Sequence, residues 1–176
     1  LNALLQRRTT VYDALGRTKA QINALGYRET MLYDAASRNV ARIDPRGART
    51  TATFDAANQP IRATNPLGFL TTSLYDRLSR TIARIDPLLR RTTTAYDAAG
   101  REVARRDGLN AISTTVYDAA NRQIAQVDPL GRRTTTSYDA ASRAIRRKDP
   151  VGAISTTVYD AAGQAVATVN PLGNRT

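Results

Sequence analysis

Eight carboxylates stand at one fixed interval. Asp13, Asp34, Asp55, Asp76, Asp97, Asp118, Asp139 and Asp160 follow each other every 21 residues. Each comes directly after an aromatic residue: Tyr12, Tyr33, Phe54, Tyr75, Tyr96, Tyr117, Tyr138 and Tyr159. A carboxylate ladder could hold Ca²⁺, but one carboxylate per turn supplies too few of the roughly six to eight oxygens that ion takes. Asp as a turn initiator is the simpler reading. The aromatic column could stack sugars or bases; packing along a strand face suits Tyr better. Arg17, Arg38, Arg80, Arg101, Arg122 and Arg143 each stand four residues after one of these Asp residues. Pairing with that Asp, or solvation, is the expectation over a polyanion track.

The residues that usually carry catalysis are missing. The sequence has no His and no Cys, hence no imidazole base, thiolate nucleophile, thiolate metal ligand or disulfide. No Gly-rich phosphate loop opens a helix. The expectation is a chain that is not an enzyme and takes no cofactor or metal. The net charge of +11 over 176 residues comes from arginine, with Lys19 and Lys148 the only lysines. That charge follows the repeat instead of clustering, so nucleic acid is not the expected partner. No apolar run is long enough to span a membrane, and no signal peptide is recognisable.

A fixed period decides the architecture before any local reading. Between Tyr117 and Tyr138, the short segment Arg122–Val127 is followed by Asp128-Pro129-Leu130-Gly131, then by a Thr-rich run. Thr, Val, Ile and Tyr suit a pleated strand. Turn residues recur every ten or eleven positions, which fits consecutive hairpins and leaves no room for helices. Ala-rich pieces such as Asp97-Ala98-Ala99 are too short to be helical. Both turns share one logic: Asp bonds the backbone ahead, and Gly takes the left-handed position of a type I turn with a bulge. Asn58 and Asn121 replace that Gly acceptably. Ser37, Ser79 and Ser142 are poorer substitutes, and Leu89 is the least comfortable.

Pairing can be read further. Across each proline-type turn, residues six apart contain one aliphatic and one non-aliphatic side chain. Ile22 goes with Arg28, Ile43 with Arg49, Ile85 with Arg91, Val127 with Arg133 and Val169 with Arg175. The order reverses in Thr64 with Leu70, Arg106 with Ile112 and Lys148 with Ile154, giving a 42-residue double repeat. Directly opposed residues on one face would behave so; duplication of a double unit would leave the same trace. A second aliphatic column, Val40, Ile61, Ile82, Val103, Ile124, Ile145 and Val166, is broken only by Lys19. With the Tyr column it marks the face expected to be buried. An odd period requires a bulge to absorb one residue. About sixteen strands at ~4.8 Å would make a sheet roughly 75 Å long that twists and curls.

Tyr-Asp-Ala-Ala-Gly-Arg at 96–101, Asp-Pro-Leu-Gly at 128–131 and the Thr run resemble the YD repeat, also called the RHS repeat, in eight copies along the chain. Phe54 to Gln59, Asp107 to Asn110 and Asn23 to Gly26 depart most from it. The resemblance implies an all-β array of antiparallel hairpins in a spiralling sheet. In RHS toxins and insecticidal toxin complexes such sheets form hollow shells around a toxic domain; in teneurins, related repeats build a cell-surface barrel. The self-cleavage segment of some members has no counterpart here.

The expectation is therefore one repeat array over 1–176, cut from a longer array at both ends. Its role is a non-catalytic wall of a secreted or cell-surface protein, a shell around a cargo. Its partners are neighbouring repeats, with an enclosed cargo domain or a cell-surface ligand beyond them. An extracellular fibre or adhesin is the alternative, and glycan or polyanion binding a third reading.

Overall fold

A computed structural model describes residues 7–176. It contains sixteen strands and, among the described residues, no helix. The chain divides after Arg91 into two compact units. The first holds β1 (Thr9–Tyr12), β2 (Thr18–Ile22), β3 (Arg28–Tyr33), β4 (Asn39–Ile43), β5 (Arg49–Phe54), β6 (Pro60–Thr64), β7 (Leu70–Tyr75) and β8 (Thr81–Ile85). The second, entered within β9 (Arg91–Tyr96), holds β10 (Glu102–Arg106), β11 (Ile112–Tyr117), β12 (Gln123–Val127), β13 (Arg133–Tyr138), β14 (Ala144–Lys148), β15 (Ile154–Tyr159) and β16 (Ala165–Val169). Within each unit every strand pairs antiparallel with its sequence neighbours, the hairpin array read from the sequence.

Both turns of each repeat are built alike. Gly100 N–H donates to the Asp97 carbonyl at 3.0 Å, and Asp97 N–H donates to the Arg101 carbonyl at 3.0 Å. At the proline-type turn, Gly131 N–H meets the Asp128 carbonyl at 2.9 Å and Asp128 N–H the Arg132 carbonyl at 3.0 Å. The fourth turn residue is left-handed throughout. Ser37, Ser79 and Ser142 hold φ of 63°, 62° and 63°, and Leu89 holds 62°. An L side chain resists this conformation, so the sequence had flagged real strain.

The expected register is present. Ile22 lies opposite Arg28, Ile43 opposite Arg49, Thr64 opposite Leu70, Arg106 opposite Ile112, Val127 opposite Arg133 and Lys148 opposite Ile154. Val169 bridges Arg175. The pair Ile85 and Arg91 falls at the boundary of the two units.

The odd period is absorbed by a bulge at one recurring place. Val116 opposes Ala125 while Tyr117 opposes Gln123, which leaves Ile124 without a partner. Val40, Ile61, Ile82, Val103, Ile145 and Val166 are skipped in the same way, and so is Lys19. The second aliphatic column is thus the column of bulged residues.

Opposed residues point to one side and consecutive residues alternate, so the register sorts side chains onto two faces. The face carrying Tyr and the bulged aliphatics was expected to be the buried one. Those side chains are mostly half-buried, and Tyr12 and Val166 are exposed. The buried residues are Ala20, Ala41, Ala83, Ala125 and Ala167, on the opposite face. The reason is geometric. Within each unit the described strands touch only their sequence neighbours, so no second layer there covers a large side chain, whereas a methyl group is shaded by its larger cross-strand partners.

Candidate functional site: an aspartate–arginine–aromatic ladder

Each signature Asp closes its own turn. In Asp97, Oδ1 accepts N–H bonds from Ala99 and Arg101, both at 2.9 Å, while Oδ2 accepts from Arg101 Nε at 2.7 Å. Asp118 does the same with Ala120 and Arg122, and Asp13 with Leu15 and Arg17. The backbone N–H of Arg101 is the largest influence on the Asp97 carboxyl; partial burial opposes it, and the Arg101 side chain adds to it. The net result holds this carboxyl below the ordinary aspartate value, with Asp34, Asp118 and Asp139 shifted likewise.

The arginine then reaches into the next repeat. Arg101 Nη1 donates to the Asp118 carbonyl at 3.1 Å and to Asn121 Oδ1 at 2.7 Å, and its guanidinium lies 4.6 Å from the centre of the Tyr117 ring. Arg122 donates to the Asp139 carbonyl and Ser142 Oγ and stacks on Tyr138 at 4.9 Å. Arg17 does so with Asp34, Ser37 and Tyr33, and Arg38 with Asp55, Asn58 and Phe54. Arg143 reaches the Asp160 carbonyl and lies over Tyr159. The tyrosine hydroxyls return a bond backwards: Tyr138 to the Gln123 carbonyl at 2.9 Å, Tyr33 to Thr18, Tyr75 to Pro60 and Tyr159 to Ala144. Gln59 stands where most repeats have arginine and reaches Ser79 Oγ with its amide at 3.0 Å.

This geometry accounts for Ser37, Asn58, Ser79, Asn121 and Ser142 at the left-handed positions of the aromatic–Asp turns; Asn110, in a turn of the other kind, is outside it. Each offers a side-chain oxygen that glycine lacks, and a donor of the preceding repeat uses it. Sequence reasoning expected each arginine to pair with its Asp or to be solvated, and it missed the crossing to the next repeat. The signal was the co-occurrence, twenty residues after a donor, of an oxygen-bearing side chain in place of Gly.

The chemistry open to these groups is narrow. The carboxylates are occupied by backbone N–H groups and guanidinium, and no acidic cluster able to hold a metal ion occurs among the described residues. A guanidinium lies over one side of the Tyr33, Tyr117, Tyr138 and Tyr159 rings, where a sugar or base would stack. The ladder joins repeats.

Residues 117–154 match the family model of the RHS repeat. That match covers the two repeats around β11 to β14. No curated protein sequence matches the chain. Among solved structures, the crystal structure of TcdB2-TccC3-TEV is similar with a TM-score of 0.61 and 14% identity, over 99% of this chain and 11% of that one. The Photorhabdus luminescens Tc holotoxin pore gives 0.60 and 14%, over 96% of this chain and 12% of that one. TcdB2-TccC3-Cdc42 gives 0.54 and 14%, over 94% and 13%. The chain therefore spans about an eighth of these relatives or less, and the likeness is one of fold.

Proposed function

We propose that the chain is a stretch of non-catalytic β-sheet wall in a larger secreted or cell-surface RHS-repeat protein, part of a shell that encloses a toxin-like cargo. The observation that carries this is the ladder: the most regular polar side chains of the chain are used to fasten one repeat to the next. A wall needs continuity along the sheet more than a pocket in it. The similarity in fold to Tc toxin components supports the same reading. Partners are then adjoining repeats of the same protein and whatever the wall surrounds.

Limited proteolysis of the full-length protein tests it. A cargo segment inside a shell survives protease that digests the same segment expressed alone. Equal digestion of both removes the shell. Extended filaments in electron micrographs would instead establish the alternative, a fibre or adhesin made of the array itself.

A further inference from the structure

The face that carries the buried alanines is striped. In the second unit, hairpin β11–β12 presents Ile112, Val116, Ala125 and Val127 on this side. Hairpin β13–β14 presents Arg133, Ser137, Arg146 and Lys148. Hairpin β15–β16 returns to Ile154, Val158, Ala167 and Val169. In the first unit Arg49, Thr53, Arg62 and Thr64 on β5–β6 are followed by Leu70, Leu74, Ala83 and Ile85 on β7–β8. Hairpins β1–β2, with Val11 and Ile22, and β3–β4, with Leu32 and Ile43, are both aliphatic, so the alternation starts at β3. The 42-residue double repeat is this striping. Ile112, Val116 and Val158 remain 42%, 38% and 41% exposed, and Arg133, Arg146 and Lys148 are exposed beside them.

From Ile112 to Val169 no strand residue on this face carries a carboxylate. A second copy of the face is therefore a poor occupant: laid in register it sets cation on cation, and shifted by one stripe it buries cations against aliphatic side chains. A nucleic acid, charged evenly along its length, would hold phosphates over the aliphatic stripes. The charge complement is a polypeptide whose carboxylates are interrupted by apolar side chains. A stripe two strands wide measures about 9.6 Å, which an extended chain crosses in about three residues.

We propose that this face is a docking surface for an acidic polypeptide segment in extended form, with blocks of about three apolar and about three acidic residues in alternation. The surface holds for a wall and for a fibre alike, since it depends only on the register within one unit.

The test uses the full chain and two labelled peptides of identical composition, followed by fluorescence anisotropy at near-physiological salt. One arranges Leu and Glu in blocks of three, and the other alternates them singly. The block peptide is expected to bind about tenfold more tightly. Arg146→Gln with Lys148→Gln should cost about tenfold in its affinity. Arg105→Gln with Arg147→Gln, which removes the same charge from the opposite face, should change it less than about twofold. Absence of binding, equal affinity for the two peptides, or equal loss from the two double variants overturns the proposal. So does displacement of the block peptide by heparin or by phosphatidylserine vesicles at lower concentration than by unlabelled peptide. The peptide comparison on the unaltered chain stands even where a variant fails to fold.

Discussion

Arg101 and Tyr117 lie sixteen residues apart in sequence, yet the guanidinium of the first sits 4.6 Å from the ring centre of the second. The same arginine holds Asp97 in its own turn and the Asp118 carbonyl in the next. One side chain thus serves two repeats.

Removing such a side chain should cost more than a surface ion pair, whose usual worth is below about 1 kcal/mol. Arg122→Ala loses the Asp118 pair, the bonds to Asp139 and Ser142, and the stack on Tyr138. About 2 kcal/mol is expected, with Arg122→Lys intermediate because an ammonium lacks the fork. Urea denaturation measures it; a loss under about 0.5 kcal/mol would mean the ladder is incidental.

Leu89 is an exposed side chain held at φ 62° with nothing gained in return. Leu89→Gly relieves about 1–2 kcal/mol of left-handed strain, against about 0.5–1 kcal/mol of added chain entropy. A net gain of about 0.5–1 kcal/mol should appear as a raised melting temperature, with Gly131→Leu moving it the other way.

Ser142 bears the same strain but accepts a bond from Arg122. Asn tolerates the left-handed region better and keeps an acceptor, as Asn121 does toward Arg101. Ser142→Asn should therefore stabilise by roughly 0.5 kcal/mol, and because the acceptor is kept in both residues most of the gain should persist in an Arg122→Ala background. Gly163→Asn extends the idea, since its Cβ would sit 3.5 Å from Arg143 Nη1, an ordinary contact. A gain that disappears with the arginine would show that the bond, and not backbone relief, is its source.

The carboxyls of Asp34, Asp97, Asp118 and Asp139 titrate below their ordinary value of 3.8 in the folded chain. A depressed folded pKa gives stability that is complete above the unfolded value and lost as pH falls through the folded one. The denaturation midpoint should hold level from neutrality to about pH 5 and fall steeply below about pH 4. Asp118→Asn should flatten that fall; an unchanged acid slope would show that the turn carboxylates are not its source.

Val127 opposes Arg133, and Thr134 opposes Gln126 on the other face. The chain has no cysteine, so Val127→Cys with Arg133→Cys supplies the only two thiols. Directly opposed Cβ atoms, about 4.5–5.5 Å apart, come close to disulfide geometry. This pair should oxidise readily within one chain, while Val127→Cys with Thr134→Cys should not. Equal oxidation of both would contradict the register.

The hairpins were legible because turn chemistry is local: Asp, Pro and Gly sit within four residues of one another and need nothing distant. The register was legible because the aliphatic swaps fall on residues that the sheet sets opposite each other, as at Val127–Arg133 and Lys148–Ile154. What stayed hidden depends on reach across the sheet. That Arg122 meets Tyr138 and Ser142 follows from where two turns lie side by side, which no short window of residues states. The buried face was misjudged for a related reason. Apolar size picks out Tyr117 and Ile124, whereas burial in a sheet without a second layer goes to Ala125, small enough to be roofed by its neighbours.

The ladder also has a direction. Arg17, Arg38, Arg101, Arg122 and Arg143 each reach from the earlier repeat to the later one, whereas Arg42 pairs back to Glu29 of the repeat before it. A defect in one ladder arginine is therefore felt in two places, at the carboxylate of its own turn and at the aromatic of the repeat ahead.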